Sequence, residues 1–325
     1  MVHYGYVFGG DKMKLSVMDL VPVFPGTEPA QALEQALLLA QTAERCGYGR
    51  YWVAEHHDMP GLACTSPEVL LAYIGARTSR IRLGSGAVLL PHYKPLKVAE
   101  SFHLLSSLMP GRIDLGIGRA PGGSAHVTMA LSDNFLDNIR RLPEALQALM
   151  ALLTGQYRVE GEPVTARPVP PQPPEVWMLG TNQKSAAYAA ELGCGYVFGQ
   201  FMSDRDAAEV MQLYREQFRP SQLTPEPRVM VAIGVVCADT EEEAQRLAAE
   251  GAALFGQRGR AASQSQSEAE REKSAAPERL IVGTAQQVKS RLEALQARFG
   301  VDEFLIVTHV PNYAQRLRSY ELLLT

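Results

Sequence analysis

The chain is poor in cysteine, in net charge and in long apolar runs, and each shortage removes a class of protein. Cys46, Cys64, Cys194 and Cys237 are far apart with no CxxC pair. That excludes a disulfide framework or a zinc knuckle and leaves free thiols. The net charge of -4 and pI near 6.0 provide no cationic face of the kind phosphate backbones require, so nucleic acid is not an expected partner. No stretch approaches the roughly twenty apolar residues that cross a bilayer. The opening MVHYGYVFGGDK has neither a basic leader nor an apolar core, which points to a cytoplasmic protein.

What the chain has is rhythm. From Lys14 onward, short apolar or β-branched runs alternate with longer segments of helical period, the pattern of parallel βα units. Eight strand candidates can be counted: Leu15–Met18, Tyr51–Ala54, Ile81–Leu90, Ile113–Ile117, Val176–Leu179, Tyr196–Phe198, Val229–Val236 and Glu303–Val307. Stripes such as Leu33, Ala36, Leu37, Ala40 and Ala43 mark the helices between them. The pattern predicts one α/β domain over residues 13–325, a (β/α)8 TIM barrel, with residues 1–12 as an N-terminal extension. Glu160–Pro174, rich in proline, reads as a loop. Gly256–Pro277, rich in Gln, Ser and charge, reads as an insertion after the seventh strand.

A barrel of this kind carries its chemistry at the C-terminal ends of its strands. The second strand ends in Ala54-Glu55-His56-His57-Asp58. Either imidazole can act as acid, base or hydrogen-bond donor, but adjacent residues of a strand face opposite ways, so at most one faces the site. A hydrogen-bonded structural histidine is the alternative. No second His/carboxylate pair has ligand-like spacing, and no metal site is expected. Gly84 and Gly86 lie inside the third strand, which fits either close approach of a ligand or tight barrel packing. Arg119 follows the fourth strand amid glycines and offers a fixed fork to phosphate. Gly116 and Gly118 are not a dinucleotide fingerprint, because Pro121 stands where a helix would have to open. The fifth strand runs into Gly180-Thr181-Asn182-Gln183-Lys184-Ser185, a polar turn that either caps a helix or holds an anion at its N-terminus.

The ordered set EHH, GSGAVLLPHYKP, GRIDLGIGR and LGTNQKSA resembles the bacterial luciferase-like monooxygenases over nearly the whole chain from Met13. The resemblance implies a barrel that binds FMN at its C-terminal mouth, accepts the reduced form from a separate flavin reductase, and uses dioxygen on a small organic substrate. It implies Arg119, Asn182 and Ser185 as phosphate ligands, with Gly180 and Thr181 lending backbone. It implies a cis peptide at Gly86–Ala87 under the flavin ring, Met18 and Phe198 packing against that ring, and His56 as the catalytic residue. A homodimer is implied as well. The reactive cysteine of the luciferase α-subunit is Gly118 here and its acidic residue after the fifth strand is Thr181, so light emission is not implied. A non-catalytic flavin-binding or accessory protein and a deazaflavin-dependent reductase on the same barrel are the competing readings. Gly256–Pro277 is expected to be a lid over the flavin.

Overall fold

In a strand covered on both sides, alternate residues face opposite layers, and here that alternation builds the barrel interior from the bottom up. A computed structural model describes residues 13–262 and 279–324. Its strands in chain order are β1 (Lys14–Asp19), β2 (Arg50–Val53), β3 (Arg82–Ser85), β4 (Val88–Leu89), β5 (Ile113–Gly118), β6 (Arg158–Val159), β7 (Glu162–Pro163), β8 (Glu175–Gly180), β9 (Gly195–Gly199), β10 (Val229–Cys237), β11 (Leu280–Gly283) and β12 (Glu303–Val307). The parallel sheet runs β12-β1-β2-β3-β5-β8-β9-β10 and closes where β10 pairs with β12. This is the expected eight-stranded (β/α)8 barrel.

Helices cover the outside. Those beginning at Pro29, Pro67 and Pro95 have proline in the first turn, where the missing N–H costs nothing and φ is preset. Gly47 ends the first of these, and Gly193 and Gly300 end two others, in the left-handed region at φ 92, 60 and 60°. Outward residues such as Val17, Tyr51, Leu83, Leu115, Met178, Phe198, Ile233 and Ile306 join the helices in one apolar layer.

The interior is stacked in tiers. At the N-terminal end Arg50, Arg82 and Arg228 meet Asp114, Glu175 and Glu303 in a network of ion pairs. Above it Met18, Trp52, Trp177, Val197, Met230 and Leu305 pack together. Trp52 and Trp177 are the chain's two tryptophans. Each lies across the glycine paired with it on the next strand, Gly84 and Gly195; a Cβ there would come within 2.4 and 2.3 Å of an indole ring. The next tier up contains Ala54, Gly86, Gly118, Gly199 and Ala232, too small to fill the barrel, and there the interior opens.

Three readings change. The third strand is not continuous over Ile81–Leu90: it breaks into β3 and β4 around a cis Gly86–Ala87 bond. The stretch from Gly256 does not begin as a loop, since the helix Glu241–Ala262 continues into it as far as Ala262. The strand β11, absent from the sequence reading, extends the sheet beside β10. It is four residues long with only alternate positions buried, too short to declare itself by pattern. The proline-rich stretch contributes β7 to a small hairpin with β6, which lies just before it. The N-terminal extension 1–12 and the remainder of the expected lid, 263–278, lie outside the described residues.

Candidate active site

The opening above the small tier is a cavity of about 360 Å³ at the C-terminal mouth. It sits where the strands of such barrels deliver their functional side chains. Met18, His56, Gly86, Ala87, Arg119, Gly180, Thr181 and Asn182 all line it, although they come from five separate stretches of sequence. Its floor is glycine and alanine backed by Met18, whose Cε lies 3.0 Å from where a Gly86 Cβ would stand.

On one wall stands a cation. Arg119 leaves the end of β5 half-buried, and its Nη2 donates to Asn182 Oδ1 over a long 3.5 Å. That weak contact leaves most of the guanidinium fork directed to the cavity. Asn182 caps the helix Gln183–Leu192: its Oδ1 accepts from Ser185 N–H at 3.2 Å. A guanidinium beside a capped helix N-terminus is a donor set suited to an anion with several oxygens.

Glu55 and His56 also line the cavity, on a stretch joined to the loop after Arg119 where His57 N–H donates to the Gly122 carbonyl at 2.8 Å. The Glu55 carboxylate is buried and fully engaged: Leu89 N–H donates to Oε2 (3.0 Å), Tyr93 O–H donates to Oε1 (2.6 Å), and His57 Nε2 lies 2.8 Å from Oε1. His57 is therefore turned to Glu55, while His56 lines the cavity. Burial of His56, with His57 as a secondary cause, pushes its pKa down to about 4. Its Nδ1 is buried without a hydrogen-bond partner among the described residues. A neutral imidazole with one unused nitrogen is what this wall presents.

The pattern of the luciferase-like monooxygenase family matches residues 13–320 of this chain. The chain belongs to that family. It is 37% identical over 96% of its length to the N-acetyl-S-alkylcysteine monooxygenase of Bacillus subtilis, covering 97% of that protein. It is 28% identical to the oxygenase component of the flavin-dependent trigonelline monooxygenase of Acinetobacter baylyi, over 84% of this chain and 82% of that one. The crystal structure of apo-MsnO8 superposes with a TM-score of 0.85 at 37% identity, covering 96% of this chain and 97% of the other. This luciferase-like monooxygenase is accordingly a flavin-dependent oxidoreductase on a (β/α)8 barrel.

Two expected site residues are not brought to the cavity of this luciferase-like monooxygenase. Phe198, expected against a flavin ring, is fully buried among the outer helices, and its neighbours Val197 and Gly199 face inward instead. Ser185 is also buried off the cavity. Its hydroxyl donates to the Asn182 carbonyl at 2.7 Å and lies 3.1 Å from the Tyr196 hydroxyl, so it completes the helix cap rather than reaching an anion. Conversely, Leu89, Leu179, Phe201 and Met202 line the cavity unannounced. The first was legible: it follows the glycines of the third strand by three residues. Phe201 and Met202 belong to a single turn of 3₁₀ helix after β9, which has no periodic signature.

Proposed function

We propose that the protein is an FMN-dependent monooxygenase, in which reduced flavin from a separate reductase and dioxygen act on a small organic substrate. The observation that carries this reading is the convergence of Arg119, Thr181, Asn182 and His56 on one glycine-floored cavity. The donor set fits FMN: the guanidinium fork and helix cap suit a phosphate dianion, and the floor of Gly86, Ala87 and Gly118 leaves space for a flat ring. Reduced flavin, when bound, supplies the electrons that activate dioxygen. The chain's own residues do the rest. Arg119 and Asn182 hold the phosphate end. Leu20, Leu89, Leu179 and Phe201 keep water from the reacting face. His56 accepts or returns a proton at the substrate side. Family likeness extends the reading to a cytoplasmic homodimer built from one barrel domain with an N-terminal extension, and the relative described as an oxygenase component supports a separate reductase.

The test is a pair of titrations. Arg119→Ala is expected to weaken FMN binding roughly ten- to a hundredfold, the equivalent of a charge-assisted phosphate contact of about 1.5–3 kcal/mol, and to leave riboflavin binding nearly unchanged. Equal losses for both ligands would overturn the phosphate assignment. If the native protein bound deazaflavin in preference to FMN, the monooxygenase reading would give way to a reductase.

A further inference from the structure

The cavity's charge inventory says something about the substrate that family membership does not. Among the described residues lining it, Glu55 and Arg119 have the charged side chains. Both are committed. Three donors already converge on the Glu55 carboxylate, and the FMN reading, on which this inference rests, assigns Arg119 to the phosphate. What remains for a substrate in the same cavity is Leu20, Leu89, Leu179, Phe201 and Met202 together with the imidazole of His56. With Nδ1 of that ring enclosed, Nε2 is the nitrogen left for a single hydrogen bond from the cavity. With its pKa near 4, the ring is uncharged near neutral pH and supplies no counter-ion. An ion entering such a wall would surrender its hydration with nothing to replace it, whereas a neutral molecule pays little.

We propose that the substrate is an uncharged, largely apolar small molecule with one polar atom read by His56, and that carboxylate- and ammonium-bearing molecules are rejected. This departs from the chemistry named for the 37%-identical relative, because an N-acetyl-S-alkylcysteine is an acid. Among the described residues the cavity lining offers such an acid no free cation.

The relative suggests the probes. N-acetyl-S-benzylcysteine methyl ester and the corresponding free acid share one skeleton, and 3-phenylpropylamine, an ammonium ion at pH 7.5, is the cationic probe. 3-Phenylpropanoate and its methyl ester make a second pair. Each is titrated calorimetrically into the FMN-loaded protein at pH 7.5. Neutral esters are expected to bind at least tenfold more tightly than either ion. Met202→Arg places a cation at the exposed rim of the cavity without disturbing the core, and should narrow the ester–acid gap at least threefold while leaving the ammonium probe weak. Acid binding equal to ester binding in the native protein would overturn the proposal, and so would a gap unmoved by Met202→Arg. Failure of every neutral probe to bind would do the same. Failure of FMN to load would be seen before any probe is added; it would defeat the flavin reading and this inference with it.

Discussion

His56 and His57 are adjacent and chemically identical, yet the structure gives them different work. His57 is spent on Glu55 and His56 faces the cavity. His56→Ala is predicted to slow substrate oxidation by about 10²–10⁴-fold with FMN affinity largely retained, and His57→Ala to do less. Stopped-flow turnover of the two variants checks this; a reversed order would mean that the wrong ring was assigned. The depressed pKa adds a pH signature. Since His56 loses its proton near pH 4, kcat/KM should be level through neutrality and fall only as the pH drops toward 4. An inflection near 6.5 that vanishes in His56→Ala would contradict the burial argument. Residue-scale facing was only partly legible. For the two histidines, alternation said that one must turn inward but not which. For β9, whose core residues are apolar on both sides, it could not separate Val197 from Phe198. A doubly buried strand has no polar face to mark its orientation.

Between elements, two glycines of β5 make contrasting predictions. A Cβ on Gly116 would stand 2.0 Å from the Ser85 carbonyl oxygen, a backbone atom that cannot swing away. Gly116→Ala must therefore force β3 and β5 apart and is expected to destabilise by about 1–3 kcal/mol or more. A Cβ on Gly118 would meet the Ala87 Cβ at 3.0 Å and Leu89 Cδ2 at 3.4 Å, a contact relieved by small shifts. Gly118→Ala should fold normally but intrude on the cavity floor and weaken FMN and riboflavin alike. Urea midpoints and flavin titrations on the two variants separate packing from site. Equal stability of both would show that the strands yield more easily than the contact implies. In the sequence these two glycines were weighed only as a dinucleotide fingerprint and set aside, and the strand register, with Leu83 opposite Ile113 and Val88 opposite Ile117, assigns one to packing and the other to the site.

Over the whole molecule, stability and function occupy opposite ends of the barrel. Asp114 is fully buried at the closed end, where it accepts from Arg50 (2.8 Å), Arg82 and the Trp52 indole N–H (2.9 Å). Asp114→Ala removes the buried acceptor that Arg50, Arg82 and Trp52 share, while Glu175 and Glu303 still pair with the two cations, and is predicted to cost about 1–3 kcal/mol in urea denaturation, with the flavin site, two tiers away, keeping its affinity once folded. Loss of affinity without loss of stability would refute that separation. Acid should act globally as well. Burial pushes His56 and His309 from 6.5 to about 4 in the folded protein. Below 6.5 the unfolded chain binds protons that the folded one refuses. Stability from this source is complete above about pH 6.5 and is lost as the pH falls toward 4, by up to about 3 kcal/mol per group. Denaturation midpoints at pH 7.5 and 4.5, compared between the native protein and His56→Asn, measure one share of it. The periodicity of the chain by itself determined the alternation of strands and helices, hence the barrel and the end at which chemistry belongs, because strand and helix periods are local properties. Its motifs also marked Arg119, Asn182 and His56. Which residues of each strand turn inward, that Ser185 closes a cap, and that small residues from separate strands share one tier and so leave a cavity were decided only by tertiary structure. Those outcomes depend on register and tilt between strands distant in sequence, and no local pattern encodes them.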